Sequence, residues 1–290
     1  AEKLARELEH TRTILNSLQQ SARAVARSDP KQALQLAEQS LQYLPVEPRP
    51  GVRSAAQAEV AFFAIKTGDL DKARRAAQSA VEAADKGAAN AQLDLVRAEL
   101  GETPPTEFER IAADEKADSE MRLEAMLELA LRARADGPPA RIVAAFDRII
   151  RFGETERARI KTVDQRIPFI SNLMPAFNAY VNYLVGAGRD REALAVADSS
   201  RALVFSDRSA VRSHRLNLAP LQAELGKKNA VAVSFWMSPA KSHAWVITAR
   251  GLARVDLPAE AEIRARVQAF RDYLIAASDT PLDEAPPAKA

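Results

Sequence analysis

The chain contains no cysteine among its 290 residues, which excludes disulfides, thiolate metal sites and thiol nucleophiles. Aromatic residues are scarce at 6% while alanine is abundant, a combination that favours closely packed helices over a β-rich core. No sign of charge predominates: the formal net charge is +2, which gives no case for nucleic acid or membrane binding. The longest apolar run, near residues 230–237, is far shorter than the ~18 residues of a membrane span.

The length is enough for one large or two smaller domains, each with a sizeable core. The first residue is Ala1 rather than a methionine, as a removed signal peptide or a trimmed chain would give. The compartment therefore stays open.

Nearly every segment from residue 1 to about 228 has a helical pattern, interrupted by short Gly/Pro breaks. The first segment carries one apolar stripe at spacings of three, four and seven, formed by Leu4, Leu8, Leu15, Leu18, Ala22 and Val25. Asp29-Pro30 ends it and begins the next helix, because proline is tolerated in a first helical turn. We expect residues 45–51, which hold three prolines and a glycine, to form a loop that cannot be helical.

The helices that follow are expected to form pairs joined by tight turns. Gly68 can take a left-handed conformation and Asp69 can cap the next helix. The predicted helices cover residues 52–66, 69–84, 88–100, 106–116, 119–135, 139–151, 169–185 and 190–205. Helix pairs at a period of about 30 to 40 residues are typical of an α-solenoid, in which pairs stack to cover apolar faces. An irregular helical bundle is the alternative.

After Gly226 the pattern changes to short β-branched and aromatic runs, at residues 230–237, 244–248 and 252–257. Arg250-Gly251 marks a tight turn, so we predict a three-stranded antiparallel meander. Pro258 opens a helix with Ile263, Val267, Phe270 and Leu274 on one face. Residues 278–290 are polar and proline-rich, which predicts a disordered tail.

Two alanine-centred segments resemble tetratricopeptide (TPR) repeats: Gly68-Asp-Leu-Asp-Lys-Ala-Arg-Arg-Ala-Ala77 and Gly188-Arg-Asp-Arg-Glu-Ala-Leu-Ala-Val-Ala197. The small residues of the family recur at Ala33, Ala73 and Ala193, where the resemblance implies a close approach of neighbouring helices. The match is partial, because the first two repeats lack the large aromatic and the glycine usual in a TPR first helix. Residues 88–151 are too degenerate to assign to individual repeats.

The stretch from Tyr180 to Tyr273 resembles the junction between a last TPR and a CHAT domain, a caspase-like module. The resemblance rests on Ala197-Asp-Ser-Ser-Arg201, Leu221-Gln-Ala-Glu-Leu225, the two strands and Gly251-Leu-Ala-Arg-Val-Asp-Leu-Pro258, in the usual order. Active members of that family use a His/Cys dyad that lies well beyond this opening region. The resemblance therefore implies that no residue of this chain has a catalytic role.

A physical argument also indicates that the caspase-like part is incomplete. Residues 231–237 are apolar at nearly every position, as in strands buried on both faces. The helix at 259–277 can cover one face of a small sheet, and the rest would expose apolar surface and an unpaired edge. We therefore expect the chain to self-associate through exposed strands.

No other motif indicates chemistry. His10 has surface neighbours, His214 lies among arginines and His243 opens a strand, and no pair has metal-ligand spacing. Leu225-Gly-Lys-Lys-Asn229 lacks the upstream glycine and the hydroxyl of a phosphate loop and is interpreted as a turn. Carboxylates, as in residues 69–75, are expected on solvated helix faces. We predict no catalytic, cofactor-binding or metal-ligating residues, and no cofactor.

Four arginines form the densest basic stretch: Arg201, Arg208, Arg212 and Arg215. A basic linker between the two domains is favoured over a site for an anionic partner such as RNA, because no interleaved aromatics offer stacking. Nucleic acid binding is ranked last among the functions considered.

The sequence thus predicts a mostly α fold: a TPR-like α-solenoid (1–228), a small α/β segment opening a CHAT-like domain (229–277) and a tail (278–290). The predicted function is a scaffold that binds a protein or peptide in its concave face and regulates an attached cysteine peptidase domain. The alternative is a non-catalytic adaptor in which the CHAT-like segment is vestigial.

Overall fold

The computed structural model of the protein is mostly helical, with one small sheet. It describes residues 2–26, 28–45, 50–84, 90–160, 162–205 and 216–278. The helices are α1 (Glu2–Val25), α2 (Pro30–Leu41), α3 (Pro50–Thr67), α4 (Leu70–Glu82), α5 (Ala91–Glu99), α6 (Thr106–Ala113), α7 (Ser119–Asp136), α8 (Pro139–Arg159), α9 (Val163–Gly186), α10 (Asp190–Phe205), α11 (Leu218–Lys228) and α12 (Glu260–Ser278). The strands are β1 (Ala232–Trp236), β2 (Ser242–Thr248) and β3 (Gly251–Leu257).

Side-chain caps begin several of these helices. The N–H of Gln32 donates to Asp29 Oδ1 at 2.9 Å, and the N–H of Lys72 donates to Asp69 Oδ1 at 3.0 Å. Each cap satisfies one of the backbone donors that a first helical turn leaves without a partner. Gly68 has a φ of 80°, the left-handed conformation that ends α3 directly before the Asp69 cap. The capping expected from the sequence at these turns is therefore confirmed.

The predicted loop at 45–51 was wrong at its last two residues. Pro50 and Gly51 are the first residues of α3, while 46–49 lie outside the described residues. A proline at the first helical position needs no backbone donor, since the first N–H groups of a helix have no partner within it. A Pro-rich run can therefore end inside a helix.

Helix ends were the least accurate part of the prediction. Helix α8 continues eight residues past the predicted end at 151, and α9 begins six residues before the predicted start at 169. The α9 helix therefore includes Pro168, the residue directly before the predicted start. In contrast, the predicted bounds of α10 match the structure.

The contacts divide the chain into two compact units, residues 1–173 and 174–290, with the division inside α9. In the first unit each helix from α1 to α8 packs on the next, and α5 also packs on α3 and on α7. The domain boundary predicted at 228 is not tested by this division and stays a prediction.

Small residues lie where the helices approach most closely. Ala33, Ala73 and Ala193, the positions compared with the small residues of TPR repeats, are each fully buried. Gly153 of α8 packs directly on Leu173, because a Cβ added there would lie 2.6 Å from Leu173 Cδ1. These contacts leave no room for a larger side chain.

The second unit holds the sheet, a three-stranded antiparallel meander in the order β1-β2-β3. Trp245 is the centre of its register, paired with Ser234 on β1 and Arg254 on β3. Trp245 is fully buried. The predicted meander is therefore confirmed, and β2 is its central, most buried strand.

The exposed apolar surface that we expected of this sheet is present at residues 231–237. Burial alternates along β1, with Trp236 buried and Val233 and Phe235 50% and 57% exposed. Val255 of β3 lies on the same exposed face, because Phe235 and Val255 both pair with Ala244. One face of the sheet thus presents apolar side chains to solvent.

Helix α12 forms as predicted but does not cover that face. Its apolar stripe is exposed, with Val267 at 61% and Phe270 at 62%. The start of the helix binds the loop between β1 and β2, where the backbone N–H of Glu260 donates to the carbonyl oxygen of Ser238 at 3.0 Å. Residues 279–290, the predicted disordered tail, lie outside the described residues.

The interpretation of residues 225–229 as a turn was wrong for all but the last residue. Leu225 to Lys228 form the last turn of α11, and Asn229 ends the helix in the left-handed conformation, with φ 47°. Asparagine is among the few residues that adopt this conformation readily. The sequence of residues 225–229 is therefore compatible with a helix end as well as with a turn.

Candidate functional site

The first unit contains a groove of about 550 Å³ that we call the α1–α3–α5 groove. Its walls come from α1, α3, the start of α5 and the segment leading into α7. The side chains of Phe62, Phe63, Leu93 and Met121 contribute its apolar part. Residues of α1, α3 and α5 thus line one groove.

Charged side chains surround this apolar surface. Among the described lining residues there are four carboxylates and two cations: Asp94, Asp114, Asp118 and Glu120, with Arg23 and Lys116. Three of the carboxylates lie within the seven residues 114–120, where α6 ends and α7 begins. The groove is therefore net acidic.

One of the two cations already has a partner. Arg23 Nε lies 2.7 Å from Oε1 of Glu59, whose side chain is 2% exposed. Burial raises the pKa of Glu59, and the guanidinium of Arg23 offsets part of that rise. A buried carboxylate requires such a partner, and the groove carboxylates Asp118 and Glu120 also raise the pKa of Arg23.

A second, partly exposed ion-pair network lies beside Phe62. Lys66 Nζ is 3.2 Å from Glu124 Oε2 and 3.8 Å from Glu99 Oε1, and it lies 4.9 Å from the centre of the Phe62 ring. The Glu99 side chain is 8% exposed. Burial raises the pKa of Glu99 to about 7; Lys66 opposes this rise, while Glu128 and Glu124 add to it. Glu99 therefore titrates close to neutral pH.

Ser54 is the buried polar group of the groove that lacks a partner. It lies on α3, lines the groove and is 3% exposed, yet its hydroxyl makes no hydrogen bond. A buried hydroxyl without a partner costs on the order of 1–3 kcal/mol. The buried hydroxyl of Ser40, by comparison, donates to Ala37 O at 2.7 Å.

The second unit has its own charged cluster around His243, which is 1% exposed. His243 Nδ1 lies 3.1 Å from Asp256 Oδ1, and Lys241 and Arg254 also bind Asp256. Burial lowers the pKa of His243, and Arg254 and Lys241 lower it further. The ring is therefore neutral at pH 7 and can donate its Nδ1 proton to Asp256. Arg254 also binds Asp190 at 2.7 Å, so the cluster joins β3 to α10.

The other residues singled out in the sequence lie apart from the groove. His10 is exposed on α1, as expected, and His214 lies outside the described residues. Arg201 belongs to α10 and donates to Ser234 Oγ at 2.9 Å, and to the carbonyl oxygen of Phe235. Arg208, Arg212 and Arg215 lie outside the described residues, so the basic linker stays a prediction.

Two features, a metal site and a membrane-spanning helix, are absent from the described residues. Among them, no group of three or more His, Cys, Asp or Glu side chains could hold a metal ion. None of the helices in that part of the chain is both long and apolar enough to cross a membrane.

The buried carboxylates were missed, because the sequence placed carboxylates on solvated helix faces. That expectation holds for Asp71, which is exposed beside Arg74. It was wrong for Glu59 and Glu99. Glu59 stands four residues before the buried Phe63, and Glu99 four residues after the buried Leu95. This spacing places each on the apolar face of its helix, a signal that could have identified both.

Comparison with known proteins gives no relative for this chain. No protein-family model, no curated protein and no solved structure matches it.

Proposed function

We propose that this chain is a helical-repeat scaffold that binds a protein or peptide segment, and that binding regulates an attached caspase-like cysteine peptidase domain. The peptide-binding part of this proposal rests on the α1–α3–α5 groove, a 550 Å³ concavity. One of its lining residues is Ser54, whose hydroxyl makes no hydrogen bond. Its apolar wall and acidic rim offer both the contact area and the polar groups that a peptide site requires.

The packing of the first unit supports an α-solenoid of the TPR type. The first helices of successive pairs contact one another, α3 with α5 and α5 with α7, so they form a common layer. In a solenoid that layer is the concave face, and binding occurs there. The full burial of Ala33 and Ala73 agrees with the close helix approach that the TPR resemblance implies.

The exposed apolar surfaces of the second unit support the caspase-like half. Val233, Phe235 and Val255 on the sheet, with Val267 and Phe270 on α12, are each about half exposed or more. A sheet that lies inside an α/β domain is covered on both faces. The remainder of a caspase-like domain is the proposed cover, and without it two copies of the chain would associate through the same surface.

A non-catalytic adaptor is the second candidate. It is favoured because all the described residues that line the groove belong to the first unit. Binding by such a groove does not require an attached peptidase.

Panning a library of random 12-residue peptides on the 290-residue chain tests the binding half. We expect selected peptides to lose at least about tenfold in affinity for Ala55→Trp, which puts a large side chain into the groove. The matched control is Ala144→Trp, which makes the same change at an exposed position of α8. Equal binding to both variants, or the absence of selected peptides, would contradict the proposal.

The gene that encodes this chain tests the peptidase half. If the reading frame continues past Ala290, we expect a histidine followed later by a cysteine, each at the end of a predicted strand. Joining that following sequence to the chain should also reduce the binding of a hydrophobic dye. A frame that ends at Ala290, or one that lacks the dyad, leaves the adaptor as the better candidate.

A further inference from the structure

We infer that the α1–α3–α5 groove selects a peptide segment with lysine or arginine next to an apolar anchor residue; this inference rests on the proposed function. Among the described lining residues the rim has four carboxylates and two cations; Asp94 is paired with Arg110, and Arg23 with the buried Glu59. Clefts lined by one sign of charge attract the opposite sign. The chain as a whole is slightly basic, so the acidity is local to the groove.

The four carboxylates differ in their freedom to meet a ligand. Asp94 is committed to Arg110, whose Nη2 lies 2.6 Å away. Asp114 and Asp118 each accept a backbone N–H with Oδ1, at 2.9 Å from Lys116 and 2.8 Å from Glu120. A carboxylate has two oxygens and about four acceptor positions, so Asp114 and Asp118 keep acceptor capacity for a cationic side chain.

The apolar part of the groove is the reason why the proposed ligand has an apolar anchor residue. Phe62, Phe63 and Met121 line it, and each is at least nine-tenths buried. An apolar side chain that inserts against them loses its contact with water, which favours binding. The hydroxyl of Ser54 can then pair with a backbone group of the same segment, since it can donate or accept.

An array of 12-residue peptides with a central leucine tests the charge preference directly. Three sets place lysine and arginine, aspartate and glutamate, or serine and glutamine around the leucine, and each is incubated with the 290-residue chain. We expect the basic set to bind about tenfold more tightly than the other two at 50 mM NaCl, and less so at 300 mM NaCl, because salt screens charges near the surface.

The double variant Asp114→Asn/Asp118→Asn locates the site. Asparagine retains the oxygen that caps the backbone N–H in each case, so the fold is preserved while two negative charges are removed. We expect basic peptides to bind about fivefold more weakly. The matched control, Asp71→Asn/Glu82→Gln, removes two charges from the exposed surface of α4 and should change nothing.

Each outcome has a separate meaning. Preference for basic peptides, lost in Asp114→Asn/Asp118→Asn alone, supports the inference. Preference for basic peptides that both double variants retain would overturn it, because the binding would lie elsewhere. Binding of the acidic or neutral set that Ala55→Trp abolishes would overturn the charge preference but leave the proposed function intact. A chain that binds no set would contradict both.

Discussion

The substitution Glu99→Gln should make the protein more stable at pH 8 and have little effect at pH 5. The folded pKa of Glu99 is about 7, against an ordinary value of 4.5, and burial is the main cause. Between these values the folded state holds a proton that the unfolded state has released, so the free energy of unfolding falls as the pH rises. Glutamine carries no charge to bury and is free of this loss.

The size of the effect follows from the difference between the two pKa values. At 1.36 kcal/mol per pKa unit, the wild type loses about 3 kcal/mol between pH 4.5 and pH 7 through Glu99. Three groups face Glu99: Lys66 from α3, and Glu124 and Glu128 from α7. Because these neighbours readjust in the variant, we expect Glu99→Gln to gain about 1 to 3 kcal/mol over the wild type at pH 8.

Urea unfolding at pH 5, 6, 7 and 8 measures this difference. Far-UV circular dichroism is the suitable signal, because both tryptophans, Trp236 and Trp245, lie in the second unit and report on that unit alone. Glu115→Gln, at an exposed position, is the control and should follow the wild type at every pH. A constant stability difference between Glu99→Gln and the wild type from pH 5 to pH 8 would refute the assignment of Glu99 as a buried carboxylate.

Three further experiments test the packing of the chain. Removing the partnerless hydroxyl in Ser54→Ala should raise the free energy of unfolding by about 1 kcal/mol, whereas Ser40→Ala, which breaks a hydrogen bond, should lower it. Gly153→Ala should cost about 1–3 kcal/mol in urea unfolding because the new methyl group meets a packed side chain, while Gly186→Ala, with open space around it, should not. Phe235→Ser should lower the fluorescence of a bound hydrophobic dye by opening a gap in the exposed sheet face; unchanged fluorescence would place the dye elsewhere.

The acidic groove indicates which kind of peptide the chain would bind, which the net charge does not. Net charge alone gave no indication of a partner, because +2 is the balance of 41 basic and 39 acidic residues. Folding brings together Arg23, Asp94 and the residues near 114–120, which are far apart in the sequence. The local charge of the groove, rather than the charge of the chain, is what a peptide would meet.

Local structure was the part of the fold that the sequence could predict. The capped turn at Gly68-Asp69 and the bounds of α10 followed from residues a few positions apart. The meander followed from three short β-branched runs. Predictions that depended on a helix continuing or stopping, such as the end of α8, were less accurate, because packing can extend a helix beyond its local signals.

The sequence by itself determined the helices, their caps and the order of the strands, since those depend on interactions between near neighbours. Only the tertiary structure decided that the side chains of Glu59 and Glu99 are buried, that Ser54 lacks a partner, and that α12 does not cover Phe235. Burial depends on which distant segments pack over a residue. The same apolar pattern therefore fits a covered face and an exposed one, and contacts between distant segments distinguish the two.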